Sequence, residues 1–512
     1  MTQIGTPGRQ PELVCADTGP RRFTRRTFMA ATAAVGGLAL TGCGGADGSS
    51  APGNAVAAAE AQRPHTGRTV TASLRPRPAT IDLGGTRAAT LAYGDTVPGP
   101  LLRATAGDDL VVTVNNELAR PTSVHWHGIA LRNDMDGAAP ATHDIDAGRE
   151  FTYRFSAPHP GTYWAHPHTG LDADTGLYLP VVIDDPAEPG RYDAEWIVVL
   201  DDWTDGIGST PRQVWRALTS TDVPAHDMPG MGEMPGMVDI GTSALLGGDA
   251  GDVNYPYYLI NGRIPSAPST FTAVPGQRIR IRIINAGSDT AFRVALAGHS
   301  LTVTHTDGFA VVPVDVDAVL VGMGERYDVI VTAGDGVFPL VAAAEGKDAH
   351  ARALLRTGAG SPPEADFRPG ELTARVGTLE SFTATPAASL PGGATDVTLT
   401  AQLTGSMTGY DWSINGRAFP DNAPLMVQQG QRVTLVFDNA TTMWHPMHLH
   451  GHTFQTVRAD GTLGARKDTA IILPRRTLTT TFIADNPGVW MLHCHNTYHQ
   501  EAGMMTTVGY TP

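Results

Sequence analysis

At 512 residues the chain is too long for one domain, and two to four are expected. With 41% hydrophobic residues it can fill several cores, and 58 Gly with 38 Pro favour many short strands over long helices. A formal net charge of -15 argues against a nucleic-acid partner and draws cations to the surface.

The first segment reads as an address, not as structure. Thr24-Arg25-Arg26-Thr27-Phe28-Met29 resembles a twin-arginine export signal. The apolar run at 29–40 that follows is too short to span a bilayer stably. Leu40-Thr41-Gly42-Cys43 looks like a bacterial lipobox. Cys43 would then be the acylated N-terminus of a protein anchored in the extracytoplasmic envelope; a plain cleaved signal is the alternative. Residues 1–42 are assigned to the signal and 43–68 to a polar tether. Of three cysteines, Cys15 leaves with the signal and Cys43 would carry lipid. Cys494 is then the lone thiol of the mature body, and metal ligation would protect it in an oxidising compartment.

From residue 69 the chain repeats. Gly107 to Asn116, Gly276 to Asn285 and Gly430 to Asn439 each pair a turn glycine with a strand ending at Asn nine positions on. Arg278, Arg280 and Arg282 alternate with Ile279, Ile281 and Ile283, which predicts a strand with one buried face. A turn and an outgoing aromatic also recur, at Tyr163, Phe338 and Trp490. Repeats about 150 residues long mean tandem domains, and strand-rich domains of that size read as β-sandwiches or barrels. The expected units are 69–190, 191–365 and 366–512, with no long amphipathic helix.

Within the second unit, Met228, Met231, Met234 and Met237 recur every third residue, between Pro and Gly. That excludes a helix stripe. Soft thioethers select Cu(I), so the segment 226–237 is either a Cu(I)-binding loop or a low-complexity linker.

Ten of the eighteen histidines fall into four motifs. They are His125-Trp-His127, His166-Pro-His168, His445-Pro-Met-His448-Leu-His450, and His493-Cys494-His495 with His499. Side chains alternate along a strand, so His493 and His495 should face one way and Cys494 the other, and one strand would serve two metal sites. Cys, His and a following Met504 are the ligand types of a blue copper centre. His299 and His305 of the second unit are scattered.

These four motifs, in this order, resemble those of the multicopper oxidases, the family of laccases and bacterial cuprous oxidases. The likeness is strongest to exported actinobacterial lipoproteins of the copper-resistance type. The resemblance implies an all-β fold of three tandem cupredoxin-like Greek-key domains and four copper ions. It implies a type 1 copper at His445, Cys494 and His499 with Met504 axial, and a type 2 copper at His125 and His448. It implies one type 3 copper at His127, His166 and His495, and the other at His168, His450 and His493. The middle domain, lacking ligands, would be a spacer. The implied reaction couples four one-electron oxidations to reduction of dioxygen to water, with Cys494 carrying electrons between sites.

Asp136 matches the family's acid near the oxygen channel, though a plain turn Asp beside Gly137 is the other reading and Asp134 is close by. Gln500 stands where relatives often carry a relay Glu, and Glu501 is the candidate substitute. Met504 implies a low-to-middle potential suited to Cu(I), activated phenols and Fe(II). The expected protein is a monomeric oxidase for copper tolerance; the alternative is an envelope copper-sequestering protein with incidental oxidase activity.

Overall fold

The structure, a computed structural model, describes residues 52–188, 190–220 and 240–511. The signal, Cys43 and the four methionines Met228, Met231, Met234 and Met237 lie outside the described residues. No helix of the described residues is long and apolar enough to cross a membrane.

Three strand-rich units follow one another, and each opens the same way. Thr69–Leu74 pairs in parallel with Asp109–Asn115, Ala194–Trp203 with Arg278–Asn285, and Val397–Thr404 with Arg432–Asn439. The second of each pair is the strand that the sequence repeat marks. Its turn glycines, Gly107, Gly276 and Gly430, share φ values of 85°, 82° and 86°, a conformation side chains with Cβ rarely adopt. The middle unit stacks two six-stranded sheets, and the third a six-stranded on a five-stranded sheet. The first unit has sheets of three and four strands with a hairpin of Arg77–Asp82 and Arg87–Ala92 beside them.

Two expectations are corrected. The strand Arg278–Asn285 is buried on both faces from Ile279 onward, not on one. Arg280 and Arg282 are buried because carboxylates neutralise them: Asp328 lies 2.6 Å and 3.1 Å from their guanidiniums, and Glu188 and Glu195 complete the pairs. The boundary at 365/366 also falls too early. Val376–Gly377 pairs with Ala318–Val321 of the middle unit, and Leu372 packs with its Ala295 and Val341. A short strand and a 3-10 turn carry no periodicity by which to assign them. The segment read as a tether carries the helix Pro52–Ala61, and Arg63 beyond it donates to Asn486 of the third unit at 3.0 Å.

Candidate metal centre

Two of the four histidine motifs, at His125 and at His445, follow a loop that an Asn anchors. Asn116 closes the loop before His125 by donating to the carbonyls of Arg120 and Ile145 at 2.9 and 2.8 Å. Asn439 does the same before His445, through the carbonyls of Met443 and Ile472 at 2.7 and 3.1 Å. The ligand strands then pair. His125 lies opposite His166 between His125–His127 and Gly161–His166. His448 lies opposite His493, and Met447 opposite Cys494, between His445–Leu449 and Val489–Cys494. In the middle unit the corresponding pair is Phe292–Leu296 with Val337–Ala344. There Phe292, Val294 and Leu340 fill the hydrophobic core, which leaves no ligand.

The alternation expected of His493-Cys494-His495 is realised. Cys494 converges with His445 and His499, its Sγ 3.7 and 3.6 Å from their Nδ1 atoms, which are 3.0 Å apart. His493 joins His168 and His450, with Nε2 atoms 3.3 and 3.0 Å away. His495 joins His127 and His166, and His125 joins His448 at 3.4 Å across the first and third units. Metal bonds of about 2.0 Å to nitrogen and 2.3 Å to sulfur put ligands about 3–4 Å apart, so these spacings fit one ion per group. The loose ends fit too. His127 Nδ1, His166 Nε2 and both nitrogens of His495 are buried without a hydrogen-bond partner, and all belong to one group. Imidazoles with a thiolate suit copper.

Met504 is buried in the cluster that holds Cys494. Its carbonyl accepts from Cys494 N and its amide donates to His499 O, both at 3.0 Å. The helix Thr497–Ala502 fixes His499: Asn496 caps it by accepting from Tyr498 N and His499 N, and Gly503 ends it in the left-handed region.

Burial and the neighbouring imidazoles push His166, His450, His493 and His495 well below the usual histidine range, and His168 to about 3. These rings are neutral and ready to ligate. His499 is the exception. Burial alone would lower it, but the Asp252 carboxylate 2.9 Å from its Nε2 raises it to about 10. Tyr410 donates to the same carboxylate oxygen at 2.6 Å. His445 Nε2 meets Thr441 Oγ1 at 2.8 Å.

Asp136 reaches the cluster. Its Oδ2 accepts from His450 Nδ1 at 2.9 Å, its Oδ1 lies 3.4 Å from His125 Nδ1, and its carbonyl accepts from His125 Nδ1. Asp134 instead pairs with Arg132 at the surface. Glu501 is exposed; Arg212 and Asp172 are its charged neighbours, and no cluster histidine meets it. Gln500 is buried on the same helix. His299 and His305 stand apart, lining a cavity of about 650 Å³ in the middle unit.

Sequence reasoning missed Asp252, Asp468, Thr469 and Arg326. Asp468 Oδ1 lies 3.3 Å from His127 Nε2 and 3.4 Å from His448 Nδ1. Burial alone would raise its carboxyl, but Arg326 holds it well below the usual range. Thr469 pairs with His448 across the sheet, so the strand neighbouring the third motif was the one available signal. Asp252 had none.

Family models described as multicopper oxidase match residues 77–188, 195–360 and 394–512. The chain is 61% identical over 506 residues to "Multicopper oxidase MmcO" of Mycobacterium tuberculosis, covering 98% of this chain and 99% of the relative. It is 28% identical to "Copper resistance protein A" of Escherichia coli, covering 84% and 90%. A laccase structure from Botrytis aclada superposes with TM-score 0.70 at 26% identity, covering 91% of each chain. Three cupredoxin domains, a site of one cysteine and two histidines, and an eight-histidine cluster, together with these likenesses, place the chain in the multicopper oxidase family.

Proposed function

We propose that this copper enzyme oxidises Cu(I) outside the cytoplasm for copper tolerance, with activated phenols and Fe(II) as further reductants and dioxygen as the acceptor. In this reading His445, Cys494, His499 and Met504 would hold the type 1 copper, and His125 and His448 the type 2. His127, His166 and His495 would hold one type 3 ion, and His168, His450 and His493 the other; three groups of converging side chains match the type 1 and type 3 sets, and a fourth holds His125 and His448 together with His127. Bound copper supplies the one-electron steps and the reduction of dioxygen. The chain's own part is connection and protons. Cys494 joins the two sites through its backbone, and its carbonyl accepts from His493 Nδ1 at 2.9 Å. Asp136, against His125 and His450, is the proposed proton carrier.

One observation carries the choice of Cu(I). The remote edge of His499 meets a carboxylate, Asp252, which favours a cation over a neutral phenol. The helix Pro211–Leu218, which precedes the methionine segment, brings Trp215 within 5.9 Å of Tyr410, the phenol bonded to Asp252. The name of the copper-resistance relative agrees with this reading. The twin-arginine motif and Cys43 support export and lipid anchoring, and the expected state is a monomer.

The test is oxygen consumption by the copper-loaded protein with Cu(I), Fe(II) and a phenol side by side. Replacing Met228, Met231, Met234 and Met237 by Ser should raise KM for Cu(I) about tenfold, one good ligand interaction of about 1.4 kcal/mol, and leave the phenol unchanged. Equal effects on both substrates would reduce the segment to a linker. Several coppers bound without turnover would favour sequestration.

A further inference from the structure

The middle domain supplies no cluster histidine, yet one of its turns lies against the cluster. Between Ala318–Val321 and Arg326–Thr332 the chain passes Gly324 at φ 83°. A Cβ there would stand 2.9 Å from both His127 Cε1 and His495 Cδ2. The bare backbone is therefore part of the wall on which those two rings rest.

Two residues on, the fully buried Arg326 ties the three domains together. Its Nε donates to the carbonyl of Thr162 in the first domain at 3.0 Å. Its two terminal nitrogens grip Asp468 of the third at 2.7 and 2.6 Å, a bidentate pair. Gly128, one residue past His127, leaves room for this pair: a Cβ there would lie 2.3 Å from the guanidinium and 2.6 Å from Asp468 Oδ2.

Asp468 in turn holds histidines. Its carbonyl lies 3.0 Å from His448 Nδ1, and its Oδ1 faces His127 Nε2 and His448 Nδ1. Thr469 Oγ1 donates to that Oδ1 at 2.9 Å and lies 3.1 Å from each of the same two nitrogens. His127 Nε2 is thus engaged from behind. Its Nδ1, the buried atom with no partner, is the one left to ligate. A buried carboxylate is tolerable here only because a cation grips it.

We infer that the turn at 322–326 of the copper-free domain is a positioning element of the trinuclear site. Arg326 fixes Asp468, Asp468 fixes the tautomer and direction of His127 and His448, and Gly324 sets the depth of His127 and His495. The inference rests on the ligand reading proposed above. Arg326 is a positioning residue, since it touches none of the reacting atoms.

The test uses the full-length, copper-loaded protein with Arg326→Met, Arg326→Lys and Gly324→Ala. The readouts are copper content, the type 2 electron paramagnetic resonance signal, the blue absorbance, anaerobic reduction of the blue site, and its reoxidation by dioxygen. For Arg326→Met the blue absorbance and anaerobic reduction should stay within about twofold, while the type 2 signal changes and reoxidation slows about 10–100-fold. Arg326→Lys should recover part of the loss, because it keeps the charge and loses the fork. An unaltered type 2 signal with reoxidation within about twofold of the unmodified protein would overturn the proposal. So would equal loss of the blue and type 2 signals in the Met and Lys variants, which marks a general lesion. If Arg326→Met does not fold, Gly324→Ala decides: a changed type 2 signal is expected, and an unchanged one overturns the idea. The ligand reading fails separately, if His448→Ala keeps the type 2 signal.

Discussion

Asp252 gives the proposed type 1 site a charge that the ligand motifs do not contain. Its carboxylate faces His499 from the middle domain, inside the protein, where little solvent screens it. Such a charge favours the more positive, oxidised state of the site. Asp252→Asn keeps the shape and removes the charge, so the reduction potential of the blue site should rise by tens of millivolts; about 60 mV is tenfold in a one-electron equilibrium. Redox titration of the blue absorbance measures it, and a constant or lowered potential would refute the electrostatic role. At this scale the four histidine motifs were legible in their close His-x-His spacing, but which motifs converge was not, because grouped side chains such as His125 and His448, or His168 and His493, lie 323 and 325 residues apart in the chain. Asp252 and Asp468 were not, because a carboxylate delivered from a remote loop leaves no local pattern. The same holds for Glu501: proximity in sequence to His499 suggested a relay, but the helix turns that side chain outward to solvent.

At the scale of elements, the repeat was legible as a Gly-to-Asn strand, and the structure explains why the Asn recurs. Asn116, Asn285 and Asn439 each accept from an amide two residues on at 2.9 Å, from Leu118, Gly287 and Thr441. Each also donates to carbonyls across the following loop. The motif is a loop clasp; only in the first and third units does the clasped loop deliver histidines. Asn439→Ala and Asn285→Ala should each cost about 1–3 kcal/mol, the penalty for leaving buried backbone groups unpaired. Only Asn439→Ala should also weaken the blue absorbance in the folded protein, because His445 follows its loop. Urea titrations paired with absorbance spectra check this, and identical spectra for the two variants would mean the clasp does not control His445. The doubly buried Arg-Ile strand was misread for a related reason. Alternation reports chemistry along one strand, whereas the acids that make Arg280 and Arg282 tolerable inside come from other segments.

At the scale of the whole molecule, a junction of ion pairs holds the first and middle domains together. Asp328 is its centre: it receives Arg280 and Arg282 from the neighbouring strand and the hydroxyl of Thr162, at 2.7 Å, from the first domain. Burial alone would raise its carboxyl, but Arg280 and Arg282 reverse the sign and hold it well below the usual range. In the unfolded chain an Asp titrates near about 3.9. The folded state thus binds fewer protons at this group, so its contribution is fully present above about pH 4 and is lost as pH falls below that. Asp174 and Asp201 act in the opposite sense, since burial raises both and their cost grows as pH climbs past the unfolded value. The single variant Asp328→Asn separates the two effects. It leaves two arginines short of one counter-charge and should cost about 3–5 kcal/mol near neutral pH. That deficit should shrink steadily below about pH 4, where the native Asp328 also begins to lose its advantage. Denaturant unfolding of both proteins from pH 3 to 7 measures the gap directly. A gap independent of pH would mean that the junction is held by shape and hydrogen bonds, with the charge of Asp328 playing no part.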